Sequence, residues 1–194
     1  MKASKLAKLV RTLTLAPIMA AVTLTILYVC TTDVFQSVLE YMGAIAFLVI
    51  LPILAYPLQP FIPSYKEKGR EGQRQLAIVM AVLGYIGGII VAVSTSIPEK
   101  QKIIYFMYFF SGILIMVFNK VIKVRASGHA CGVVGPVAIL TYCMGPLALF
   151  GLIVLVVVYW ASLKMERHTI SQLFWGSAIP VVALLISYGI YQIA

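Results

Sequence analysis

The sequence predicts an all-α, polytopic membrane helical bundle with about seven transmembrane helices, forming a single integral membrane domain over residues 1–194. Three observations carry this. The chain is 62% hydrophobic and only 11% charged, with a mean hydropathy of +1.02, which leaves too little charge to cover a water-facing surface. Its apolar runs are long and continuous, whereas the strands of a membrane barrel alternate apolar with polar residues. The charges fall in the segments between those runs.

The first expected span is Leu13–Cys30, entered from the basic stretch MKASKLAKLVRT. This start is similar to a secretory signal, but no small-x-small cleavage pattern follows it, so the run is expected to stay in the membrane. The next three spans are Met42–Leu58, Leu76–Val93 and Ile103–Phe118, judged against the roughly 20 residues that cross about 30 Å of hydrocarbon. From Ala130 to Trp160, 31 residues carry no charge. As one helix they would reach about 46 Å, too long for one span, and Gly145-Pro146 predicts the break into two. The last span is Ile170–Ile193. Gly84 with Gly88, and Gly128 with Gly132, have the small-xxx-small spacing of closely approaching helices. Cys30, Cys131 and Cys143 show no metal-type spacing and are expected as small buried apolar residues.

With alternate linkers on alternate faces, thirteen of the 15 Lys and Arg share the face of the N-terminus, and Lys100 and Lys102 lie on the other. The net charge of +9 is therefore read as topology and contact with the lipid bilayer, not with nucleic acid. The positive-inside rule makes the basic face cytoplasmic, in a plasma or bacterial inner membrane.

Two linkers on that face hold the chemistry. Residues 119–129 read NKVIKVRASGH and supply Lys120, Lys123, Arg125, Ser127, Gly128 and His129. Residues 161–169 add Lys164, Arg167 and His168, so both histidines of the chain meet on one face. Ser127 stands where it can cap the following helix, leaving free amides and a positive dipole end beside lysine and arginine, a ready phosphate site. Two imidazoles beside a phosphate offer a nucleophile and a proton donor. Taken singly, the basic residues need only anchor helix ends, and Thr169 with Gln172 fits a capping box.

RASGHACG, followed about thirty residues later by ASLKMERHTISQLFWG, resembles the second and third motifs of the type 2 phosphatidic acid phosphatase (PAP2) and haloperoxidase superfamily. The family patterns are KxxxxxxRP, PSGH and SRxxxxxHxxxD. The likeness covers residues 119–194; residues 1–118 hold the N-terminal spans. It implies a PAP2-like core and metal-independent cleavage of a lipid phosphate, phosphatidate-like or a polyprenyl phosphate or diphosphate, with no cofactor. By the same resemblance His168 is the nucleophile that becomes a phosphohistidine, and His129 is the acid that protonates the leaving group. Ser127 and the Gly128 amide hold phosphate oxygens, with Arg125 beside them and Lys120 or Lys123 standing in for the first-motif lysine.

The chain departs from these patterns at Ala126 for proline, Ala161-Ser162 for Ser-Arg, and Gln172 for the aspartate that orients the nucleophile. The third-motif arginine that binds phosphate is therefore missing. Arg70 and Arg74 of the linker KEKGREGQR are four residues apart, so one helical turn can aim both at the same phosphate in its place. The family has three spans before SGH, which places its site on the outer face when the N-terminus is inside, and this chain has four; an added first span reconciles the two, whereas a miscounted span would restore an outward site.

A catalytically weak or inactive PAP2-fold protein that binds lipid as a scaffold is the alternative. A transporter is disfavoured because no span carries an ionisable Asp, Glu, Lys or Arg. Metal hydrolysis is disfavoured because two histidines without a nearby acidic cluster do not form a typical metal site.

Overall fold

The computed structural model describes the backbone of residues 2–193 and the side chains of residues 5–192. The Lys2 charge in the topology count, and the two ends of the 1–194 domain, lie outside those described residues. Among them the chain is helical with no strand. Its helices are α1 (Lys2–Leu13), α2 (Ala16–Cys30), α3 (Val38–Phe61), α4 (Gly69–Ser94), α5 (Glu99–Lys120), α6 (Gly128–Met144), α7 (Leu152–Lys164) and α8 (Ile170–Ile193).

Five segments are long and apolar enough to cross a membrane: Val38–Phe61, Gly69–Ser94, Glu99–Lys120, Pro146–Lys164 and Ile170–Gln192. A sixth crossing arises if the bent pair α1 and α2 forms one span. The chain is thus compatible with an integral, multi-pass membrane protein. Helix α6 is shorter, with 17 residues, or about 26 Å at 1.5 Å per residue.

Local chemistry sets the breaks. Pro17 opens α2. Its ring excludes the carbonyl four residues back and it lacks an N–H, so the chain turns by 51° between α1 and α2. In α3 a π-helical stretch, Ala46–Ile50, precedes Pro52 and absorbs the hydrogen bond that proline cannot make. Gly145, at φ +100°, ends α6 and hands the chain to a tight 3-10 segment, Pro146–Gly151, before α7, at the break the sequence predicts.

The core is built where α8 lies against α5 and α6, with α2 on the other side of α6. Helix α4 bridges α3 and α5, and α1 lies along α7. Gly84 and Gly88 earn their spacing here: a Cβ on the first would strike the Phe47 carbonyl, and on the second the Tyr105 ring. Gly132 abuts Ala16 in the same way, but Gly128 faces open space, so the second glycine pair is not a helix-contact motif. The three cysteines are free; Cys131 and Cys143 are half-buried, but Cys30 is exposed at the end of α2, where the expected burial fails.

Candidate functional site

The site forms at the N-terminal end of α6. Ser127 is fully buried and its Oγ accepts the Ala130 N–H at 3.4 Å, the expected cap. Its own N–H donates to the Gln172 carbonyl at 2.9 Å, which fastens the 121–127 linker to α8. Gly176 makes that possible, because any Cβ there would collide with the Ser127 main chain. Lys123 and Arg125 hold left-handed φ angles of 61° and 54°. Each costs roughly 1–2 kcal/mol for an L-residue, and such backbone conformations cluster at functional sites.

The second linker is turned back by a Schellman arrangement at the end of α7. The Arg167 N–H reaches the Ser162 carbonyl at 3.0 Å and the Glu166 N–H the Leu163 carbonyl at 3.0 Å, with Glu166 left-handed at φ 52°. After this reversal His168 lies close enough to the start of α6 for its charge to act on His129. Its Nδ1 lies 3.1 Å from Gln172 Oε1, and the same Oε1 accepts the Thr169 N–H at 3.3 Å. An amide N–H only donates, so the oxygen of Gln172 must face it, and His168 Nδ1 must carry the proton. The lone pair of His168 is thereby placed on Nε2. Thr169 and Gln172 also form the expected capping box, since Thr169 Oγ1 accepts the Gln172 N–H at 3.4 Å.

His129, on the first turn of α6 and before its apolar run, is held by α1. Its Nε2 lies 3.2 Å from the Arg11 carbonyl, and its Nδ1 lies 3.4 Å from Arg11 Nη2. A guanidinium only donates and a carbonyl only accepts, so the ring is neutral with its proton on Nε2. Burial, then the Arg11 charge and more weakly that of His168, pushes this imidazole down to about 4. His168 is also held below its ordinary value, by burial first and then by the charges of Arg11, Arg125 and Arg74, with the Gln172 bond opposing them. Both imidazoles are neutral near pH 7.

Arg11 Nη1 donates to Ser162 Oγ at 3.0 Å. Arg11 therefore occupies the position for which Arg70 and Arg74 are the sequence candidates. Those two are exposed on the first turns of α4, and Arg74 faces Glu71 at 3.5 Å. Their charges still act on the site, Arg70 on Arg11 and Arg74 on His168, as does Arg167 on Arg11. Lys120, Lys123 and Lys164 are exposed and donate no hydrogen bond within the described residues. Among those residues, no three His, Cys, Asp or Glu side chains gather as a metal-holding group.

Arg11 is invisible to motif reading because it lies outside both motifs, but its helix carries a signal. Leu6, Leu9 and Leu13 form an exposed apolar stripe, while Ala7 and Thr14, buried, mark the face turned to the protein. Arg11 is four residues after Ala7 and three before Thr14, on that inward face.

Beside the site a cavity of about 180 Å³ runs into the bundle between Ala16, Gly128, Gly132, Tyr108 and Ser111. The Tyr108 and Ser111 hydroxyls are buried without a hydrogen-bond partner. Gly128 to Pro136, both on its wall, span about 12 Å of helix, so the cavity runs from the helix end towards mid-bundle. Comparison with protein families, curated proteins and solved structures finds no match.

Proposed function

We propose that the chain is a membrane lipid phosphatase of PAP2 type, hydrolysing a phosphorylated lipid through a phosphohistidine, without a metal ion. The observation that supports this reading is that two neutral imidazoles lie close enough for one to act on the other, His168 with its lone pair on Nε2, while Arg11 reaches both His129 and Ser162. In the reaction His168 Nε2 attacks phosphorus and the ester P–O bond breaks. His129, protonated once the phosphate anion offsets the Arg11 charge, passes its proton to the departing oxygen. Water then attacks the P–N bond, its proton returning to His129, and inorganic phosphate leaves with the His168 lone pair restored. Ser127 and the free amide of Gly128 hold phosphate oxygens at the helix end, with the Arg125 charge nearby.

The cavity supports an amphiphilic substrate, with apolar walls for the lipid next to its phosphate. The two unpartnered hydroxyls favour an ester-linked, phosphatidate-like lipid, whose carbonyl accepts hydrogen bonds that a polyprenyl chain lacks. In the membrane we assign seven crossings, with α6 a short, enclosed one, and a cytoplasmic active face, since the arginines gather there.

The test is phosphate release from a phosphorylated lipid by the purified protein in detergent. We expect His168→Ala to abolish it; equal release by both proteins would defeat the enzyme reading. In that event a PAP2-fold lipid-binding scaffold is the reading left, favoured by the Gln172 substitution and by the engagement of both His129 nitrogens with Arg11.

A further inference from the structure

We propose that Arg11, carried on the surface helix α1, is the guanidinium that grips the substrate phosphate, taking the place that Ser162 leaves without an arginine. The inference rests on the phosphatase reading above and adds to it a binding residue from outside both motifs.

Arg11 stands between the two halves of the site. One terminal nitrogen bonds Ser162 Oγ at 3.0 Å and the other lies 3.4 Å from His129 Nδ1. A guanidinium has five N–H donors, so three remain for a ligand. The contact to His129 is long and opposes protonation of that ring, so it is the weak bond of the set. A phosphate oxygen that inserts between Arg11 and His129 Nδ1 replaces it with two charge-assisted bonds, one from each side. The same insertion allows His129 to take up a proton and face the leaving oxygen.

The charge balance points the same way. Arg11 is half-buried and makes no ion pair within the described residues, and Arg167 and Arg70 lie close enough for their charges to oppose its own. A partly buried cation surrounded by cations is unfavourable unless an anion completes it. Helix α1 is built for delivery: Ala7 is fully buried where α1 lies along α7, and the His129 bond to the Arg11 carbonyl holds that end of α1 in register.

The experiment compares wild type, Arg11→Ala, Arg11→Lys and the double variant Arg11→Ala/Ser162→Arg. Its readouts are phosphate release from a lipid phosphate, binding of inorganic phosphate, and thermal unfolding. Loss of one preorganised donor is worth about 10²–10³ in rate, and that loss is expected for Arg11→Ala. Added guanidinium ion is expected to restore part of it saturably, ammonium is not, and Ser162→Arg is expected to recover it from the neighbouring helix. Arg11→Lys keeps the charge without the planar fork, so it is expected to fold and to bind phosphate more weakly. Wild-type rates in Arg11→Ala and Arg11→Lys, alongside His168-dependent release by wild type, would overturn the proposal and leave the phosphatase reading standing. A wild type that binds phosphate only with Arg11 intact, yet releases none from lipid, would defeat the phosphatase reading and keep the grip. A folded Arg11→Ala that neither guanidinium nor Ser162→Arg revives would make Arg11 a structural latch and sink the proposal.

Discussion

At the end of the bundle away from the site, Lys100 donates to Asp33 at 2.6 Å and to the Cys143 carbonyl at 3.3 Å, tying the start of α5 to the α2–α3 loop and the end of α6. At the site end, Arg11, Arg125 and Arg167 have no carboxylate partner within the described residues, and Arg74 has only the exposed Glu71. Both ends close helix termini with charged groups; at the far end Lys100 is paired with Asp33, while Lys102 has no carboxylate partner within the described residues. A paired charge at a helix end is an anchor. Under the proposed function, the cations near the two imidazoles serve to receive an anion, which would relieve their mutual repulsion.

Variants can break or sharpen this contrast. After the abolition expected for His168→Ala, the largest effect is expected from His129→Ala. Removing a general acid lowers kcat by about 10²–10⁴, and a substrate with a good leaving group, such as a nitrophenyl phosphate, should recover much of that loss because it needs no proton. An equal loss on both substrates would deny His129 its proton-donor role.

Next comes the pH profile. In the proposed reaction His168 attacks as a neutral nucleophile, and its folded value is depressed. The acid limb of kcat/KM is therefore expected below the ordinary histidine value of about 6.5, with rate falling as pH drops and the ring protonates. Gln172→Glu places a carboxylate on Nδ1, favours the imidazolium, and should move that limb upward by roughly one unit or more. An unmoved limb would mean that His168 is not the group titrating.

A selective effect is expected at the cavity. Tyr108→Phe should reduce turnover of an ester-linked lipid phosphate by up to about tenfold, the worth of one hydrogen bond, while sparing a polyprenyl phosphate. Equal effects on the two substrates would remove the ester preference.

The smallest effect belongs to the far end. Lys100→Ala removes a pair whose Asp33 side chain is 58% exposed, and such pairs contribute about 0–1 kcal/mol. Unfolding should shift slightly and phosphate release should stay at the wild-type level. A loss of activity there would show the two ends to be coupled.

The parts of the site legible in the sequence are those made by neighbours in the chain. Ser127 caps α6 and Thr169 caps α8 because a side-chain oxygen three residues before a free amide can reach it in any fold. The Gln172 bond to His168 spans four residues and is equally local. Arg70 and Arg74 illustrate the opposite. Their spacing fits one phosphate, but the position of α4 leaves them exposed while Arg11 reaches Ser162 from 151 residues away in the chain.

The sequence by itself determined that the chain is a helical bundle suited to a membrane and that the apolar runs break at Gly145-Pro146. Those features follow from hydropathy, from helix length and from residues that cannot continue a helix. Only the tertiary structure decided that α1, bent from α2 by 51°, lies along α7, and that its arginine reaches Ser162. The bend at Pro17 permits many directions for α1; burial of Ala7 and Thr14 and the two bonds to His129 select one of them.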